Sequence, residues 1–270
     1  MKKILILRDR PSRPMLYAID HYALRWKEAG HQVIDHIGLA DIPVTDIVIV
    51  HIDLTVIPQE YANLINNFPG IINGKVLDVS RRRFSQILLS KSDNHKGLVI
   101  VKTNTNFGGI PEFNKRDNHT PKQFWHDIET LHPHKYPIFK DIKSVPHGVW
   151  ENDKLIVEPF ISNKENGLFY VRYYIFFGDK EFSGRIGSPN PIVKFCNSVS
   201  DEEIPLPDEV RQWRKDLKID FGRLDYLEAE GKYYLIDINK TEGGGNLNYE
   251  YPDEMDFLAS GINFYLSPSL

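Results

Sequence analysis

One cysteine, Cys196, stands in 270 residues, so no disulfide can form within the chain. A reducing, cytoplasmic setting is the simplest fit, with Cys196 read as a small, half-buried thiol. Charge of one sign is also missing. Lys and Arg number 33 against 37 Asp and Glu, a formal net charge of −4, which leaves no field to gather nucleic acid or an anionic membrane surface. No apolar run is long enough for a membrane helix. The N-terminus MKKILILRDR begins like an export signal, but its apolar run stops at Leu7 and Arg8 follows. There is no internal repeat, no low-complexity segment, no Gly-x-Gly-x-x-Gly loop and no Walker loop. His119, His126, His132, His134 and His147 match no tetrahedral zinc spacing and read as surface or core histidines. No Ser/His/Asp or Cys/His nucleophile arrangement is evident.

What is present is a globular chain, 41% hydrophobic, able to bury a core and to form two or three lobes. Lys3 to Leu7 reads as a buried parallel strand. A helix follows, carried by Leu16, Ile19, Ala23, Leu24 and Trp26 and stopped at Gly30. Val33–Ile37 and Asp46–Ile52 read as strands, and Pro58–Phe68 as a helix with Tyr61, Leu64, Ile65 and Phe68 inward. This βαββα order predicts a small doubly wound α/β lobe over residues 1–79. His51 and Asp53 sit where open α/β sheets place ligands, though they read first as polar residues leaving the core.

Val79–Leu89 carries three arginines and a stripe of Phe84, Ile87 and Leu88, predicting a helix capped by a serine. Gly97–Lys102 reads as a strand ending in lysine and entering the loop Thr103–Gly109, a chemistry suited to phosphates. Pro121–Leu131 reads as a short helix started at Thr120 and Pro121. Strands are expected at Lys154–Ile161, with Glu158, and at Tyr170–Phe177, with Arg172, the latter turning at Gly178 and Asp179 toward Phe182–Ile186. An arginine among the aromatics of YVRYYIFF requires an anion, either an internal carboxylate or a phosphate. Arg185 and Lys194 flank SPNP and add positive charge nearby. Pro207–Leu217 reads as an amphipathic helix with Val210, Trp213 and Leu217 inward.

The organising stretch is Ile219–Gly245. Leu224–Leu227 and Tyr233–Ile238 flank Ala229, Glu230, Gly231 and Lys232, the pattern of a hairpin. Asp237 and Asn239 share a face by their spacing of two, and Asp225 lies on the first strand. Three hard oxygen donors suit Mg²⁺ shared with nucleotide phosphates, whereas the plain alternative is a hairpin with one solvated face. Lys240, Thr241 and the glycines Gly243 to Gly245 follow.

In this order the elements resemble the ATP-grasp superfamily of carboxylate–amine ligases, from about Val79 onward. The resemblance implies an α/β fold of three parts: an N-terminal doubly wound lobe (1–79), a small lobe with a Gly-rich flap (80–160) and a C-terminal lobe with the metal site (161–270). It implies ATP and Mg²⁺ as cofactors. Lys102 would be one phosphate lysine, with Arg81 in the place of another, and Asn104 to Gly109 the mobile flap with Gly108 and Gly109 as hinges. Glu158, Phe160 and Ile161 would form the adenine-reading hinge and Glu165 the ribose contact. Asp225, Asp237 and Asn239 would hold Mg²⁺, with Asp237 where glutamate is commoner. Arg172 and Arg185 would be the substrate-side and transition-state cations, with Arg172, Lys194 and Lys240 meeting substrate. The implied reaction joins a small-molecule or peptide carboxylate to an amine through an acyl phosphate, with a kinase or a non-catalytic nucleotide module as alternatives. A homodimer is an open option; nucleic acid and membrane are not expected partners.

Overall fold

The computed structural model describes residues 1–65, 67–68, 70–115, 124–244 and 251–266. His119, Thr120, Pro121 and Gly245 lie outside them. Continuous apolar runs become buried parallel strands. β1 (Lys3–Arg8) and β3 (Ile47–Val50) are buried almost throughout and pair in parallel, with β2 (Gln32–Ile37) and β4 (Ile71–Ile72) outside them in the order β2-β1-β3-β4. Between β1 and β2 runs α1 (Ala18–Glu28), started by Asp20, whose carboxylate accepts the N–H of Tyr17 (3.1 Å). Its buried face is Ala18, Ile19, Tyr22, Ala23 and Trp26, while Leu16 and Leu24 point outward, so the expected stripe is rotated toward Tyr22. α2 (Gln59–Ile65) covers the sheet with Tyr61 and Ile65.

The expected helix over 79–89 is a single turn, α3 (Arg81–Phe84), and Ser80 at its start makes no side-chain cap bond. The stripe of Phe84, Ile87 and Leu88 is not helical because tertiary partners pull the chain straight. Ser85 donates to Glu158 (2.6 Å) and the Leu89 N–H to the Val157 carbonyl (2.8 Å). β5 (Val99–Thr103) then pairs antiparallel with β6 (Ile138–Phe139) and β7 (Leu155–Pro159). Alternation decides what each strand offers. Val99, Val101, Leu155 and Val157 enter a core with Trp125 and Val149, and Ile100, Lys102 and Glu158 line a cavity on the opposite side.

The loop after β5 is not a free flap. Gly108 and Gly109 have φ of 67° and 76°, and a Cβ at either would lie 2.0 Å from the Leu131 carbonyl oxygen or 2.6 Å from that of Glu129. The glycines are therefore required by close packing and left-handed backbone, which opposes a hinge role. α4 (Ile110–Asn114) follows. From Phe124 onward the segment expected as a helix to Leu131 is a turn and then irregular chain. Asn152 accounts for this by donating to the carbonyls of Trp125 (2.9 Å) and Ile128 (2.8 Å), which a helix would have used itself. α5 (His147–Glu151) leads into β7.

The third sheet, antiparallel, has the order β11-β10-β9-β12-β13, from β8 (Lys164–Glu165, paired to β9), β9 (Leu168–Phe177), β10 (Lys180–Ser188), β11 (Ser200–Glu203), β12 (Phe221–Ala229) and β13 (Lys232–Asn239). α6 (Asp208–Leu217) buries Val210 and packs Trp213 and Leu217 beneath the sheet. α7 (Pro252–Ala259) returns to α1, where the Trp26 indole N–H donates to the Ala259 carbonyl (2.8 Å) and Arg25 pairs with Asp256. One core thus joins Ile4, Ile6 and Tyr22 to Tyr173, Phe177, Phe221 and Leu258. No helix among the described residues is long and apolar enough to cross a membrane.

Candidate functional site

The placing of Asp225 beside Asp237 depends on a device the sequence does not display. From the two-residue turn at Glu230 (φ 54°) and Gly231 (φ 73°), the pairs Ala229↔Lys232 through Tyr226↔Leu235 run regularly, and continuing them would set Asp225 opposite Ile236. A β-bulge between Asp225 and Tyr226 shifts the register by one, so Asp225 faces Asp237 and Arg223 faces Asn239. One residue of slip exchanges the faces of a strand. The bulge is what brings Asp237 to the side of Asp225.

That side meets the inner face of the three-stranded sheet across a cavity of about 780 Å³, mouth included. Ile100, Lys102 and Glu158 form one wall, and Phe169, Val171, Asp225, Leu227 and Asp237 the other. Arg81 and Ile87 stand at one edge, Pro191 to Lys194 at another, and Pro159, Phe160, Ile161 and Asn163 connect the walls. The apolar part, from Ile87 and Ile100 to Phe169 and Leu227, suits a flat aromatic ring, and the charged part suits phosphates.

Charge in the cavity is compensated pair by pair. Lys102 Nζ donates to Glu158 (2.9 Å), and Arg81 Nη2 to Asp237 Oδ1 (2.9 Å). Arg223 clamps Asp225 with two bonds, 2.5 and 2.9 Å. Burial pushes the Glu158 and Asp237 carboxyls up, but Lys102 and Ser85 on the first, and Arg81, Lys194 and Lys102 around the second, outweigh it and hold both below the ordinary range. Behind Arg223, burial lifts Glu242 to about 7 against the pull of the guanidinium.

Lys102, Glu158, Phe160, Ile161, Asp225, Asp237, Arg81 and Lys194 all line this cavity, although Glu158 offers its carboxylate to Lys102 and the Phe160 N–H is taken by the Leu98 carbonyl (2.9 Å). Asn239 shares the face of Asp237 but lies outside the cavity lining. Other expected residues are not gathered here. Asn104 ties β5 to α3 by accepting the Arg82 N–H (2.9 Å), and Gly108 and Gly109 are packed elsewhere. Glu165 is exposed and bound to Arg185 (3.0 Å). Arg172 and Arg185 are cross-strand partners, and Arg172 pairs with Tyr226 rather than Asp225, so both point to the opposite face of the sheet. Glu228 supplies the anion that Arg172 required, at 2.6 Å. Lys240 lies outside the lining as well, its Nζ buried without a hydrogen-bond partner among the described residues; burial lowers its pKa to about 8 against Asp53, Glu112, Asp78 and Asp9. Cys196 is exposed, 3.7 Å from His134 Nδ1, not half-buried.

Two residues were missed. Arg223 sits two positions before Asp225 on the same strand, a spacing that could have disclosed it. Asn163 lines the cavity with a buried Nδ2 that has no partner among the described residues; only tertiary structure reveals it. Among the described residues no group of three His, Cys, Asp or Glu can hold a metal. Asp225 and Asp237, with Asn239 and ligand oxygens, are the hard donors here that could hold a divalent cation such as Mg²⁺.

No family model matches the chain, and no curated protein matches it by sequence. Solved structures do. A Chryseobacterium gregarium RiPP-associated ATP-grasp ligase, in complex with ADP and a leader and core peptide, superposes with a TM-score of 0.59 at 11% identity, covering 100% of this chain and 98% of that one. The Microcystis aeruginosa macrocyclase MdnC, bound with precursor peptide MdnA, gives 0.56 at 12% identity over 96% and 98%. A Bacillus anthracis D-alanine–D-alanine ligase gives 0.52 at 14% identity over 98% and 96%. The fold is the ATP-grasp fold.

Proposed function

We propose that the chain is an ATP-dependent ligase that joins a carboxylate to an amine through an acyl phosphate, with ATP seated between the three-stranded and six-stranded sheets. The observation that carries this reading is the convergence of Lys102, Arg81 and Lys194 with Asp225 and Asp237 at the polar end of an otherwise apolar cavity. Adenine would occupy the slot of Ile100, Phe160, Ile161 and Leu227, with Asn163 positioned to donate to ring or ribose. Peptide and amino-acid ligases among the structures of this fold make an amino-acid or peptide carboxylate the favoured acceptor.

Asp225, Asp237 and Asn239 would hold Mg²⁺, which when bound neutralises phosphate charge and orients the terminal phosphoryl group. An acceptor carboxylate oxygen forms a bond to the γ-phosphorus as the bond to the bridging oxygen breaks, and ADP leaves. Lys102 and Arg81 offset the charge that develops on the departing oxygens. An amine then attacks the acyl carbon, orthophosphate departs, and the amine gives up its proton. Arg172 and Arg185 face away from this chemistry, so the cavity-lining Lys194 takes the substrate-side role in this reading.

The test uses thermal unfolding with Mg-ADP, followed by assay of ADP and orthophosphate release with amino-acid and peptide acceptors. Removing Lys102 alone would strand Glu158, so the informative variant is Lys102→Met with Glu158→Gln, which deletes the pair without leaving a buried charge. Mg-ADP at about 100 times its Kd should stabilise the native chain by about 2.7 kcal/mol, and the double variant should lose most of that gain. No shift with any nucleotide at millimolar concentration would end the reading.

A further inference from the structure

We infer that Arg81 occupies the place of a metal ion, so that the cavity takes one divalent cation with its nucleotide and not a bridged pair. The inference rests on the nucleotide reading above and concerns how that site is charged.

Where two ions clamp a phosphoryl group, a few ångströms apart, a carboxylate that bridges them gives one oxygen to each. Asp237 is the residue placed to bridge, directly across from Asp225. Its Oδ1 already accepts two hydrogen bonds, from Arg81 Nη2 (2.9 Å) and from the Ile238 N–H (3.2 Å). Both lone pairs of that oxygen are used. Oδ2 is the oxygen left for a cation.

Arg81 is not free to withdraw. Its Nη1 donates to the carbonyls of Thr103 (3.2 Å) and Thr105 (2.7 Å), and its own N–H to the Asn104 carbonyl (3.0 Å). The side chain is 3% exposed. Swinging it out would give up both carbonyl contacts and leave Asp237 buried without its partner. On the other side of the cavity, Arg223 takes one lone pair from each oxygen of Asp225. What remains is Asp237 Oδ2, the spare lone pairs of Asp225 and the amide oxygen of Asn239. With phosphate and water oxygens, that is enough for one octahedral ion, and it leaves Asp237 no second oxygen with which to bridge to another.

The guanidinium also does what a second ion would do. It carries a permanent positive charge, it lines the cavity, and its Nε is buried with no hydrogen-bond partner among the described residues, a donor left over for a phosphate oxygen. The predicted consequence is a nucleotide affinity that depends on the first power of the metal concentration.

Mn²⁺ counted by electron paramagnetic resonance, in the presence of saturating β,γ-methylene-ATP, tests this. The unaltered chain should saturate at one Mn²⁺, with no spin–spin broadening at higher concentration. Arg81→Lys keeps the charge but cannot reach Asp237 and both carbonyls at once, so it should release Asp237 Oδ1 and raise the count to two. Two coupled ions on the unaltered chain would overturn the inference while leaving the nucleotide reading intact, and so would a count of one in both proteins. Should the variant fail to fold, the unaltered count still decides. Absence of any analogue binding would remove the nucleotide reading itself, and the inference with it.

Discussion

Arginines stand on both faces of the six-stranded sheet, and the two faces treat them differently. On the cavity side, Arg223 grips Asp225 with a two-pronged contact, and Asp225 is buried. On the other side, Arg185 reaches Glu165 and Glu202, both 3.0 Å away and both about 45% exposed, and lies over the Tyr170 ring. The contrast lies in the partners: Asp225 is buried, whereas Glu165 and Glu202 are half-exposed. Only the register separates them: Arg172 and Arg185 pair in one row, Tyr173, Asp225 and Asp237 in the next. Where a member of such a pair is buried, the two charges depend on each other, as they do for Arg172 and Glu228 on the far face, and where the pair reaches water, as at Arg185, each is screened.

The comparison breaks most visibly at Arg223. Arg223→Ala should leave Asp225 buried without its fork and cost about 3–5 kcal/mol in urea unfolding. Arg223→Met combined with Asp225→Asn removes both charges and should recover most of that loss. Equal losses in the single and double variants would show that packing, not the uncompensated carboxylate, sets the cost.

Glu242 sharpens the same face by pH. Its carboxyl is lifted by burial to about 7, from an ordinary value of 4.5, with Arg223 opposing. Between those values the native chain holds a proton that the unfolded chain has released, so stability falls as pH rises from about 4.5 to 7 and is lowest above that. Glu242→Gln removes the titration. It should match the unaltered chain at pH 4.5 and exceed it by up to about 3 kcal/mol at pH 8. A difference that stays constant across this range would place Glu242 in a more polar setting than its burial implies.

How much of this was legible follows from where each signal resides. The first lobe was readable because β1 and β3 are unbroken apolar runs and its helix obeys a 3.6-residue period, with the detail of Leu16 and Leu24 lost because flanking Tyr22 is the larger anchor. Both hairpin strands and the Gly231 turn were readable for similar reasons. Spacing put Asp237 and Asn239 on one face, but the bulge that brings Asp225 to that side leaves no local mark, since Ile236 is as good a strand residue as its neighbours. The stretches after Phe84 and after Phe124 were misread because the bonds that straighten them come from Glu158, Val157 and Asn152, residues distant in sequence. Arg172 and Arg185 are a different case. Strand parity was available for them, and it would have set them apart from Asp225 once the pairing of β9 with β12 was known.

Arg185 offers the smallest effect and the most direct check on that parity. Replacing it with alanine removes contacts to two half-exposed carboxylates and to the Tyr170 ring, but leaves no buried charge behind. The cost should stay within about 1 kcal/mol, the range of exposed pairs, and shrink further in high salt. Because the residue points away from Asp225 and Asp237, the midpoint shift produced by Mg-ADP should be unchanged in Arg185→Ala. A lost shift with stability retained would mean that Arg185 reaches the nucleotide, and the face assigned to it from the register would then be wrong. Glu165 gives the matching control. If the two act only on each other, Glu165→Gln should lower stability by a similar small amount, add little to Arg185→Ala, and leave the Mg-ADP response as it was.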